Sequence, residues 1–115
     1  MSDIRELSEA MRRFSEERDW TRFHDPKSLA LALVGEVGEL AELLQWLPVD
    51  EIEVLVREPR LHDRLGEELA DILLYPVRMS DVLGIDLAAA ARTKLRANHE
   101  RFAVVDYRGE APERH

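Results

Sequence analysis

The chain has 115 residues, 45% hydrophobic and 35% charged, with 16 Lys and Arg against 24 Asp and Glu and a formal charge of −8 at pH 7. That length suits one domain with a modest core, which favours self-association as a dimer or tetramer, and the acidic balance argues against a basic nucleic-acid-binding face. The absence of Cys excludes a disulfide framework and a thiolate metal site and suits a cytoplasmic protein, and the longest near-apolar run, 29–34, is too short to span a membrane.

Ala, Leu, Glu and Arg dominate, and Gly and Pro number only five each, so an all-helical chain is predicted. Ser2 or Asp3 caps a first helix over 4–18, with Leu7, Met11 and Phe14 on one face. A turn over 20–26 follows. Asp25 is a natural N-cap and Pro26 suits the first helical position, opening a second helix over 26–46. Pro48 and Asp50 introduce a short helix over 50–57, which Pro59 ends. The fourth helix, 60–83, continues past Pro76, where the missing backbone donor predicts a kink. Gly84 stops it and Asp86 caps a fifth helix over 87–102. The expected architecture is an all-α, four-helix-bundle core with a short extra helix. Residues 1–102 form the domain and 103–115 a tail that docks through Val104, Val105 and Tyr107 or frays.

Two helices carry carboxylates where apolar residues belong. At 100° per residue, Leu29, Leu33, Glu36, Leu40, Leu43 and Leu47 share one line, with Glu36 in its middle. Glu39 stands a turn on and Glu42 continues the spacing further round. The fourth helix repeats the anomaly: Leu61, Leu65, Glu68, Ile72, Tyr75 and Met79 form a stripe centred on Glu68, with Asp71 beside it, whereas Glu67 points about 100° away into solvent. A carboxylate on a buried stripe is costly unless it is paired or ligates a cation. If the two helices pack antiparallel with these stripes facing, Glu36, Glu39, Glu68 and Asp71 converge. A hard divalent cation, Mg²⁺ first and Mn²⁺ as a substitute, would relieve their repulsion. Gly35 and Gly38 would let a partner backbone or ligand approach.

The plainer explanation is a set of solvated Glu residues, since the Glu-x-x-Glu spacing alone is common. Two carboxylate pairs, each within an apolar stripe, weigh against it. A di-iron bundle needs Glu-x-x-His pairs, but the residues three before His24, His62, His99 and His115 are Thr21, Pro59, Arg96 and Pro112. His62 reads as a surface residue. Lys94, Asn98 and Arg101 share one face of the fifth helix, as two cations and an amide aimed at one ligand or as a solvated basic helix end. Trp20 and Trp46 are core or site aromatics, and His24 a turn residue or a base contact.

Three segments carry a resemblance: 18–26 with Trp20, Phe23, His24 and Pro26; 33–46, Leu-Val-Gly-Glu-Val-Gly-Glu-Leu-Ala-Glu-Leu-Leu-Gln-Trp; and 68–75, Glu-Leu-Ala-Asp-Ile-Leu-Leu-Tyr. Together they resemble the MazG-like nucleotide pyrophosphohydrolases, in particular the dCTP pyrophosphatase branch, over roughly residues 5–102. The resemblance implies an oligomeric all-α enzyme that uses Mg²⁺ to hydrolyse a dNTP, dCTP or a modified dCTP first, to dNMP and pyrophosphate. By that likeness Glu36, Glu39, Glu68 and Asp71 are metal ligands, and Glu42 activates water or supports the ligands. Lys94 and Arg101 would meet phosphates, Asn98 the nucleoside, and Trp20, His24, Trp46 and Tyr75 the base and sugar. Two positions depart: Met11 stands where the vertebrate dCTP enzymes carry a His, and Pro76 replaces an apolar residue beside Tyr75. The rival readings are the same chemistry on another dNTP such as dUTP, and a non-catalytic helical interaction module.

Overall fold

The computed structural model describes residues 3–111; the candidate cap Ser2 and the tail residues 112–115 lie outside the described residues. The described chain is all-helical, as the composition predicts: α1 (Asp3–Glu17), a 3-10 turn (Thr21–Phe23), α2 (Pro26–Leu44), α3 (Ile52–Leu55), α4 (Pro59–Leu83), α5 (Leu87–Arg101) and α6 (Val104–Tyr107). No helix among the described residues is long and apolar enough to cross a membrane.

Local chemistry explains the boundaries. Asp25 caps α2, its carboxylate accepting from the Ser28 N–H at 2.8 Å and from the Ser28 hydroxyl at 2.7 Å, with Pro26 in the first turn. Asp86 caps α5 through the Ala89 N–H at 3.0 Å, and Gly84 ends α4 at φ 70°, the left-handed region that glycine enters without a Cβ clash. Asp25→Ala is expected to lower stability by about 1 kcal/mol, read as a drop in the thermal midpoint. Pro59 is a correction to the sequence reading. Instead of ending the short helix it opens α4, where its missing N–H costs nothing and the Glu58 side chain accepts from the N–H groups of Arg60 and Leu61. The short helix α3 is accordingly only four residues long. The long helix continues unbroken through Pro76.

α1 ends on an unusual residue. Asp19 adopts φ 53°, the Asp19 N–H donates to the Glu16 carbonyl at 3.1 Å and the Trp20 N–H to the Ser15 carbonyl at 2.9 Å, which closes the helix end and fixes Trp20. The Trp20 ring then meets Phe14 edge-on at 5.7 Å, and the Arg18 guanidinium lies 3.6 Å over the same Phe14 ring.

The largest interface is α2 against α4, and α1 packs on α4 and on the 3-10 turn. Every member of the two predicted stripes is at least partly withdrawn from solvent, whereas Leu31, Val34 and Val37 on the other side of α2 are exposed. Full burial is reached by few side chains, Val77 and Leu29 among the apolar ones. α5, the fourth long helix of the expected core, forms no comparable interface with α1, α2 or α4 within one chain. The consequence is an open shape. The radius of gyration is 17.4 Å, against about 13 Å for a compact chain of this length, and the accessible surface is 9296 Å², against about 6,400 Å² for a compact monomer of this mass. Gly35 and Gly38 face this open side: a Cβ at either would meet nothing within 4 Å. Among the described residues, no part of the same chain makes the close approach expected at these glycines.

Candidate active site

The α2–α4 interface brings three of the four predicted metal ligands together. One carboxylate oxygen from each of Glu36, Glu39 and Glu68 lies within 4.8 Å of the other two. Glu36 and Glu68 are partly buried, as their central places on the stripes require, and Glu39 reaches in from the exposed side. Burial first, then the facing carboxylate of Glu68 and the negative charges of Glu39 and Asp71, push the Glu36 carboxyl up to about 7. Oε2 of Glu36 and Oε2 of Glu68 are both buried with no hydrogen-bond partner. Orphaned buried carboxylate oxygens are expensive, and two of them side by side, with a third carboxylate at hand, fit a hard cation that accepts all-oxygen ligands.

Asp71, a turn along α4 from Glu68, lies outside the tight trio but contributes its charge to Glu36 and lines an adjoining cleft of about 200 Å³. Met11, Phe14 and Ser15 of α1, Trp20 and His24 of the connecting turn, and Leu74 and Tyr75 of α4 complete the cleft wall. Trp20, His24 and Tyr75, three of the sequence candidates, thus share one concavity with Asp71, and Met11 sits in the same wall. Glu42 is exposed and is not a member of the trio.

The other candidates stand apart. Trp46 is 84% exposed just beyond α2. Lys94, Asn98 and Arg101 ride on α5, and Arg101 lies over the Phe102 ring at 4.9 Å; none of these four lines the cleft. Sequence reasoning missed Arg78 and Asp81. Arg78, almost wholly buried on α4, donates from Nε to His24 Nδ1 at 3.0 Å and from Nη1 to Asp81 Oδ2 at 2.8 Å. A signal was present: Arg78 follows Asp71 and Tyr75 at seven- and three-residue spacing, which places a cation on the face that lines the cleft.

Comparison with known proteins identifies the family. The model of the MazG nucleotide pyrophosphohydrolase domain matches residues 24–102. The chain belongs to that family. Every candidate residue except Trp20 lies inside the matched span, so the MazG match contains all the carboxylates and the α5 trio. The chain is 46% identical over 111 residues to dCTP pyrophosphatase 1 of Bos taurus, covering 96% of this chain and 64% of that protein. To dCTP pyrophosphatase 1 of Homo sapiens it is 44% identical over 102 residues, 89% of this chain and 58% of that one. It therefore spans about six tenths of the length of these curated relatives. A dATP/dGTP diphosphohydrolase of Cyanophage S-2L is 38% identical over 64 residues, 56% of this chain and 54% of that protein. A pyrophosphatase from Archaeoglobus fulgidus, known from its crystal structure, shares the fold with a TM-score of 0.81 at 33% identity, covering 90% of this chain and 94% of that one.

Proposed function

We propose that this MazG domain is a Mg²⁺-dependent nucleoside triphosphate pyrophosphohydrolase that converts dCTP or a modified dCTP to dNMP and pyrophosphate, in a cytoplasmic nucleotide-housecleaning role. The observation that carries the reading is the trio Glu36, Glu39 and Glu68, with two orphaned oxygens, beside an aromatic cleft. Similarity to proteins named dCTP pyrophosphatase 1 supports the substrate. The Cyanophage S-2L relative, named a dATP/dGTP diphosphohydrolase, favours a second reading in which the same chemistry serves another dNTP.

Glu36, Glu39 and Glu68, joined by Asp71, would hold the cation, with Mn²⁺ as a substitute. A hard divalent ion there supplies charge neutralisation at the triphosphate and polarises water. Trp20, braced by Phe14, and Tyr75 provide faces against which a base stacks. Glu42, outside the trio and exposed, is free to take a proton from water. Lys94 and Arg101 are suited to phosphates and Asn98 to the nucleoside, but they need α5 to lie against a site. Assembly of two or four copies would provide that contact, closing the four-helix core and covering Trp46. The open shape and the unpartnered α5 support it. No nucleic-acid or membrane partner is invoked.

The test is pyrophosphate release from a panel of dNTPs, rNTPs and 5-substituted dCTP analogues, with Mg²⁺ and with chelator. Metal-dependent pyrophosphate with dCTP or its analogues preferred is the expected result. Release from purine substrates first would favour the second reading. No turnover, together with no thermal shift on adding Mg²⁺, would leave a non-catalytic helical module.

A further inference from the structure

Arg78 lies one turn beyond Tyr75 on α4 and is 5% exposed. Burying a guanidinium is costly unless its donors are met, and here His24 accepts from Nε and Asp81 from Nη1. Arginine offers donors only. The ring nitrogen that faces Arg78 therefore carries a lone pair, and a neutral imidazole then carries its proton on the opposite nitrogen, Nε2. Turning the ring over would put Cδ2–H where Nδ1 stands and lose the bond to Arg78, so the contact also fixes the orientation of the ring. Burial and the Arg78 charge both lower the His24 pKa, which keeps the ring neutral. Asp81 is gripped from α1 by Arg12, whose Nε donates to Oδ2 at 3.0 Å, and the paired guanidinium of Arg12 holds its carboxyl below the usual range. A relay of Arg12, Asp81, Arg78 and His24 thus starts on α1, crosses α4 and ends in the cleft wall.

We propose that Arg78 is a positioning residue for nucleotide recognition: it locks His24 in the neutral Nε2–H tautomer, so that the cleft offers an N–H donor to an acceptor atom of the bound nucleoside. This rests on the nucleotide-binding reading of the cleft given above. Without Arg78 the ring divides between tautomers and presents a donor in some molecules and a lone pair in others, so an acceptor on the ligand meets repulsion in part of the population. His24 is not among the clustered carboxylates, so the effect falls on binding rather than on the bond-breaking step. A staple that merely joined α1 to α4 would instead affect stability, and kcat and KM together.

The experiment combines ¹⁵N NMR of the His24 ring at neutral pH with steady-state kinetics on wild type, Arg78→Leu and Arg78→Lys. In wild type the Arg78-facing nitrogen is expected to show the unprotonated signal and its neighbour the protonated one. Arg78→Leu is expected to mix the two tautomers and raise KM about tenfold, the loss of one hydrogen bond, with kcat nearly unchanged. Arg78→Lys, whose ammonium is also donor-only, is expected to restore the tautomer and most of the KM. A protonated Arg78-facing nitrogen in wild type, or a Leu variant that loses kcat at constant KM, overturns the proposal. Should the Leu variant not fold, the wild-type spectrum and the Lys variant still decide. The ring signals need no turnover, so a protein that releases no pyrophosphate would refute the functional reading while the NMR still reports on Arg78.

Discussion

Glu36→Gln is expected to reduce pyrophosphate release by roughly a thousandfold or more, while making the metal-free protein more stable above neutral pH. The two effects have one cause. Glu36 sits on a buried stripe facing Glu68, with Glu39 and Asp71 adding negative charge, and its carboxyl is raised from 4.5 to about 7. Between those values the folded state keeps a proton that the unfolded chain has released. Stability is therefore fully present below about 4.5 and is lost as pH rises through about 7. A divalent cation would replace the proton and restore what was lost. Gln carries no charge, so the variant should show neither the decline over that window nor the recovery on adding Mg²⁺. Other groups titrate the opposite way: the lowered pKa of His24 gives stability that is present above 6.5 and is lost as pH falls through its folded value, and Asp25 and Asp81 act similarly below 3.8. The readout is accordingly the difference between wild-type and variant thermal midpoints across pH. A difference that does not grow with pH, or a variant that keeps Mg²⁺-stimulated turnover, would remove Glu36 from the site. Glu39→Gln is expected to lose turnover too, because its carboxylate completes the trio.

The carboxylate site was legible in the sequence because helical geometry converts spacing into direction. Glu36 among Leu33 and Leu40, and Glu68 among Leu65 and Ile72, could not avoid facing inward once those apolar neighbours did, and every stripe member is at least partly buried, although the fully buried residues of α4, Val77, Arg78 and Ser80, lie off its stripe. Caps were legible for the same local reason, since Asp25 and Asp86 need only the next turn of their own helix. Arg78 was not, although its spacing carried a hint. Its partner His24 is 54 residues away, and an arginine past a proline in a long helix reads as surface until the tertiary fold places a histidine against it. Pro59 was misread because a proline that stops one helix and a proline that starts the next look alike in sequence, and the Glu58 side chain folding back on Arg60 and Leu61 decides between them. The standing-off of α5 has a different origin. Amphipathic periodicity shows that a helix has an apolar side but not whether that side is met by the same chain or by another copy.

That distinction yields the second large expected effect. Trp46→Ala is expected to raise KM by about ten- to a hundredfold, the range for losing one aromatic–base stack, even though Trp46 is 84% exposed and stands outside the cleft beside the carboxylates. A tryptophan so placed contributes little to the fold of its own protomer, so a loss of substrate affinity would put it at a site, either that of its own chain or one that another copy brings to it. Mixing makes the point directly. Glu36→Gln protein lacks a working metal site but keeps Trp46, and Trp46→Ala protein has the reverse. If each site takes its carboxylates from one copy and its tryptophan from another, subunit exchange between the two impaired proteins recreates intact sites. For random exchange in a symmetric dimer the recovered activity is about a quarter of wild type. If instead Trp46 serves the cleft of its own chain, every mixed particle contains only damaged sites and nothing is recovered. Mass measurement of the mixture shows that exchange has occurred, so absence of recovery after complete exchange rejects the shared site, and an active 13.3 kDa monomer rejects the need for assembly altogether. The surface that a lone chain leaves open, from the outer face of α2 with Leu31, Val34 and Val37 to the unpartnered α5, is where that exchange should be felt: a charged residue at Val34 would be tolerated in a monomer but would abolish both assembly and the recovery.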